Sequence, residues 1–109
     1  MNVPLHTCHA HGCTTVVSPR LFACRKHWFA LRELLRKAIW REYRAGQEVR
    51  KDPSLRYLAV QQRAVAELVF KSNDEEAAKL SVYYLQESEK WRQMAIEQGA
   101  GDPLAGLLS

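Results

Sequence analysis

The sequence predicts an all-α fold, a three-helix bundle with an N-terminal zinc-binding loop. Three observations carry that prediction. Three segments place apolar residues at helical spacing. All three cysteines, with histidines among them, crowd into the first 27 residues. The chain has 109 residues, 47% hydrophobic and 26% charged, which suits one modest core in a single domain over residues 1–109. The expected layout is a zinc-binding head over 1–27, a helical bundle over 28–98 and a flexible tail over 99–109.

The head comes first. Residues 1–23 show no helical periodicity and contain Pro4, Gly12, Pro19 and a Thr-Thr-Val-Val run. That pattern reads as a loop or short hairpin wrapped on a metal. The first helix is expected to begin near Ser18–Arg20 or at Cys24 and to run to about Ala45. Ser18 and Pro19 form a capping pair at one candidate start, and Gly46 is a natural stop. Trp28, Leu31, Leu34, Leu35, Ala38 and Ile39 share one broad face of it. Arg25, Arg32 and Arg36 flank one side of that face, and Lys37, Arg41 and Arg44 lie on the far side.

The second helix is expected from about Pro53 to Phe70, capped by Asp52. Its apolar face is Leu55, Leu58, Ala59, Val65, Ala66, Val69 and Phe70. The third is expected from about Asp74 to Gln98, capped by Ser72 or Asn73. Asp74, Glu75 and Glu76 complement its dipole. Ala77, Leu80, Tyr84, Trp91 and Ala95 align on one face, and Gly99 and Gly101 end the helix. No stripe can be buried by its own helix, so the three are expected to pack together, with the metal loop closing one end.

Three cysteines is an odd number, which does not suit a disulfide framework. Metal is the better reading. Cys24-Arg25-Lys26-His27 is a C-x2-H pair at a helix start, where backbone N–H groups favour a thiolate. Cys8 and Cys13 form a C-x4-C pair, with Gly12 permitting a tight reversal. The preferred ligand set is Cys8, Cys13, Cys24 and His27. The alternative replaces Cys13 with His11, and His6 and His9 are nearby spares. Four such ligands close a tetrahedral site, and no H-E-x-x-H motif is present, so the zinc is read as structural.

The run from Cys13 through Leu21-Phe22-Ala23-Cys24-Arg25-Lys26-His27-Trp28, then Leu31, Leu35, Ile39-Trp40, Tyr43-Arg44 and Gly46-Gln47, resembles a group of small phage and prophage proteins. They share a C…GC…C-x2-H-W…W-x2-Y-R-x-G-Q pattern, which this chain matches over about residues 8–47. The resemblance implies a zinc-finger-like head and a phage or prophage origin. It implies no activity.

Charge bears on partners. The net charge is +4, but residues 1–51 carry ten Lys/Arg against three Asp/Glu, and residues 52–109 carry six against nine. Basic charge gathered in one half points to an anionic partner, either nucleic acid or an acidic host protein surface. The proposed binding face is Arg25, Arg32, Arg36, Lys37, Trp40 and Arg44, with Phe29 and Tyr43 bordering it. Trp28, Phe29 and Trp40 are also expected to pack in the core, because large aromatics are usually buried. No nucleophile–base pair or phosphate loop is visible, so a binding protein is expected rather than an enzyme. No apolar run approaches the length of a membrane span and no secretory signal is visible, which leads to an expected cytoplasmic location (the host cytoplasm if phage-encoded). A spare apolar face with Val82, Leu85 and Ile96 would allow a dimer.

Overall fold

The structure is a computed structural model that describes residues 6–10, 12–18, 21–44, 47, 53–70 and 75–107. Among these, four helices follow a small antiparallel hairpin. Strands β1 (His6–Thr7) and β2 (Val16–Val17) pair with His6 opposite Val17 and Thr7 opposite Val16. The helices are α1 (Arg25–Ala30), α2 (Glu33–Glu42), α3 (Leu55–Phe70) and α4 (Glu75–Glu97). The chain is thus mostly helical with a Cys/His cluster near its N-terminus.

The expected first helix is corrected in one respect. It is two helices, broken where Leu31 and Arg32 turn extended, with ψ of 149° and 146°. No Gly or Pro marks the break, and the apolar spacing runs straight across it. Tertiary contacts hold it instead. Leu31 is buried. The Arg32 guanidinium grips Glu67 at 3.0 and 2.7 Å and also donates to the Leu107 carbonyl at 3.1 Å. Local propensity yields to such contacts. Helix α2 then stops at Glu42, short of the expected Ala45, which with Gly46 lies outside the described residues.

Helix α3 packs against both α2 and α4. Ala59, Val65, Ala66 and Val69 are buried as expected, and Tyr57, Val60, Ala64 and Leu68 are buried as well. Its N-terminus is capped by Ser54, whose Oγ accepts from the Tyr57 N–H at 3.0 Å. The expected cap, Asp52, lies outside the described residues, as do Ser72 and Asn73.

Small residues set how α4 meets α3. Its buried positions are Ala77, Ser81, Ser88 and Ala95, while Leu80, Tyr84 and Trp91 are half-buried. Ser81, Ser88 and Ala95 recur every seventh residue, the period of a helix–helix seam. Ser88 Oγ donates to the Ala59 carbonyl at 2.8 Å, and Ser81 Oγ lies 3.5 Å from the Ala66 carbonyl. Each partner is seven residues further along, in opposite directions, as an antiparallel pair requires. A serine reaches a neighbouring helix's backbone only when the two axes approach closely.

Helix α4 ends in a Schellman motif. Ala100 N–H donates to Ala95 O at 2.9 Å, Gly99 N–H donates to Ile96 O at 3.0 Å, and Gly99 takes φ of 80°. Beyond it, residues 99–107 do not form the expected loose tail. Pro103, Leu104 and Leu107 are buried. Arg56 donates to Ala100 O at 2.8 Å and Arg41 to Pro103 O at 3.0 Å, beside the Arg32 bond to Leu107 O. Arg92 forks onto the Asp102 carboxylate at 2.9 and 3.0 Å. The tail looked loose because it is rich in small residues. Three apolar side chains and four guanidiniums fold it back. Residues 108 and 109 lie outside the described part.

Candidate metal centre and aromatic groove

The hairpin and the start of α1 bring four side chains together. Backbone bonds from Cys8 N–H to Thr15 O (2.9 Å) and from Cys13 N–H to Ala10 O (3.0 Å) fold Cys8 and Cys13 to one side. Gly12 supplies the reversal at φ of 76°. Cys24 occupies the N-cap of α1, and His27 follows one turn later. Cys8, Cys13, Cys24 and His27 therefore offer ligand atoms that all lie within 4.8 Å of one another. Individual separations are 3.5 Å from Cys8 Sγ to His27 Nδ1, 3.2 Å from Cys24 Sγ to His27 Nδ1 and 4.0 Å from Cys13 Sγ to Cys24 Sγ.

These four could hold a metal ion. A tetrahedron built on metal–sulfur bonds of about 2.3 Å and metal–nitrogen bonds of about 2.0–2.1 Å has edges of about 3.5–3.8 Å, within the 3.2–4.0 Å spread of those three separations. Cys13 and Cys24 are far too distant to be disulfide-bonded, and all three cysteines are free. The thiols differ in character. Burial pushes the Cys8 thiol up. The Thr15 hydroxyl and backbone pull the Cys13 thiol down to about 6, toward the thiolate that metal binding needs. Of the other histidines, His6 bonds to the Thr7 carbonyl at 2.8 Å and His9 stacks on Phe22 at 4.9 Å, so neither joins the cluster. His11 lies outside the described residues.

Next to this cluster is an apolar groove of about 270 Å³ lined by Leu21, Phe22, Ala23, Arg25, Trp28, Phe29, Ile39, Trp40 and Tyr43. One wall comes from the residues around Cys24 and His27 and the other from α2. The rings meet edge to face, Trp28 with Trp40 at 6.1 Å and Trp40 with Tyr43 at 5.5 Å. Phe29 is 59% exposed and Trp40 45% exposed, which corrects the expectation that both pack in the core. Trp28 is half-buried against the core.

The expected binding residues divide. Arg25 and Arg36 hold their guanidiniums over the Phe29 ring at 5.7 and 5.1 Å, and Trp40 lines the groove. Arg32 is directed away to Glu67, and Lys37 pairs with Glu33 at 3.2 Å. Arg44 is exposed, and its backbone N–H donates to Gln47 Oε1 at 3.0 Å. Leu21 and Trp28 were missed as groove residues. Their signal was their position flanking the C-x2-H pair, which a helical wheel does not display.

No protein-family model matches the chain, and neither a curated protein nor a solved structure does.

Proposed function

We propose that the protein is a small, non-enzymatic binding module in which a zinc ion on Cys8, Cys13, Cys24 and His27 holds the head in place. In this reading the groove that the head helps to wall meets a nucleic acid. The single observation that carries it is the coincidence of exposed aromatics and uncommitted cations. Arg25 and Arg36 make no salt bridge to another described residue, and both hold their guanidiniums over Phe29, which lines the groove with Trp40. Cations bind phosphate, and aromatic faces take bases.

Three thiolates and one imidazole suit zinc, and a site with four protein ligands is closed to substrate. Its role is therefore to hold the fold, as in the phage-type proteins that the sequence resembles. No helix among the described residues is long and apolar enough to cross a membrane. The test is fluorescence anisotropy with labelled DNA and RNA of mixed sequence across a salt series. Binding that weakens steeply with salt is expected, and absence of binding at low salt overturns the reading.

A second reading has its own support. Apart from Arg25, the groove's lining is apolar or aromatic, and Trp, Tyr and Arg are the residues that dominate protein-binding hot spots. Under it the partner is a protein with an acidic rim. A stoichiometric partner retained after nuclease treatment, and lost with Trp40→Ala, would favour it.

A further inference from the structure

We infer that the groove accepts one unpaired base of a single strand, with the flanking phosphates on Arg25 and Arg36, and that a duplex is a poor ligand. This rests on the nucleic-acid reading and narrows it to a substrate class. Three features of the groove and its surroundings argue for it.

Size comes first. At about 270 Å³ the groove lies just below the roughly 300–1,000 Å³ of typical small-molecule sites. It has room for a flat ring system, not for a helix about 10–12 Å across. The walls come next. Trp40 stands at 68° to Trp28 and 83° to Tyr43. A planar group lying flat on one of these rings therefore stands steeply inclined to its neighbour, the edge-to-face relation. Both arrangements suit the quadrupoles of aromatic rings.

Charge decides between strand and duplex. A protein that reads duplex through its backbone makes about 6–10 phosphate contacts along an extended track. Five of the eight arginines among the described residues are spent elsewhere. Arg32 and Arg63 serve Glu67, Arg41 and Arg56 serve Glu42, and Arg92 serves Glu89 and Asp102. The cations at the groove without a salt bridge are Arg25, in its lining, and Arg36, over the Phe29 ring, and no acidic side chain is among the described residues lining it. Arg36 also buries an Nε donor with no hydrogen-bond partner. About two phosphates are the reach of such a site.

The experiment is equilibrium binding of the zinc-loaded protein to short labelled oligothymidylate and oligodeoxyadenylate, beside the duplex they form. Trp28 and Trp40 emission is the second readout. Expected are single-strand binding at least about tenfold tighter than duplex binding, quenched tryptophan emission, and a log–log salt slope of about −1.4. Trp40→Ala should weaken single-strand binding about tenfold or more, and Trp40→Phe should restore most of it. Both variants should keep the wild-type far-ultraviolet circular dichroism, since Trp40 is 45% exposed. Equal affinity for strand and duplex, unaffected by Trp40→Ala, overturns the base-pocket inference and leaves the nucleic-acid reading standing. No binding of either overturns both.

Discussion

Removing the metal should unfold residues 6–27 and dismantle the groove while leaving α3 and α4 paired. The head has little else to hold it. Between residues 6 and 23 the one large side chain among those described as buried is Phe22, worth about 1.5–3 kcal/mol. Its few backbone hydrogen bonds add about 0.5–1.5 kcal/mol each. Ordering the backbone costs about 1–2 kcal/mol per residue over the whole stretch. A structural zinc, at about 10–16 kcal/mol, is the term of the right size to close that gap. The assay is chelation followed by tryptophan emission and circular dichroism, with metal content measured in parallel. Trp28 and Trp40 emission should shift to the red. The far-ultraviolet signal should fall by only a small fraction, because α1 has 6 residues against 16 in α3 and 23 in α4. Adding zinc should restore both. If a verifiably metal-free protein keeps its emission and melting temperature, the clasp holds nothing and the reasoning fails.

Other outcomes follow from the packing. Leu104→Ala should cost about 2–5 kcal/mol in urea denaturation, as for other fully buried leucines, because Leu104 is only 2% exposed. A change within about 0.5 kcal/mol, the range of ordinary surface sites, would mean that the tail is loose after all. At the α3–α4 seam, Ser88→Ala loses one hydrogen bond, about 0.5–1.5 kcal/mol. Ser88→Leu forces the axes apart and should cost more than Ser88→Ala, with overpacking at about 1–3 kcal/mol on top. Thermal melts that rank the two the other way would show that the helices do not approach closely there. Hydrogen bonds from Arg56, and then Arg41, hold the Glu42 carboxyl below its ordinary range despite its partial burial. That contribution is complete above the unfolded-state value and is lost as pH falls through the lower folded value. Glu42→Gln should therefore flatten the acid side of the stability curve, and an unchanged acid limb would show that the pair contributes nothing.

Much of this was legible because it was local. The end of α4 follows from the glycines after it, and the ligand cluster from spacing together with the stronger metal affinity of thiolate. What escaped was tertiary. Nothing between Ala30 and Glu33 differs from a good helix, so the break required knowledge of where Glu67 and Leu107 would lie. The basic face of the first helix was real as composition. It dissolved as a surface once Arg32 and Arg41 turned out to brace the chain's own carbonyls and carboxylates. Ser81 and Ser88 were passed over because a stripe is sought in large apolar residues, whereas this one is made of small residues.

The extended pair Leu31–Arg32 is better regarded as a corner brace than as a flexible joint. The groove's two walls belong to segments on either side of it, so its opening is set by the angle at that corner. The angle is in turn pinned by Leu31 in the core and by Arg32 on Glu67 and the Leu107 carbonyl. The shape offered to a ligand beside the Cys/His cluster is thereby governed from α3 and the folded-back tail. A partner that shifts either of them would adjust the fit of the groove without touching a residue in it.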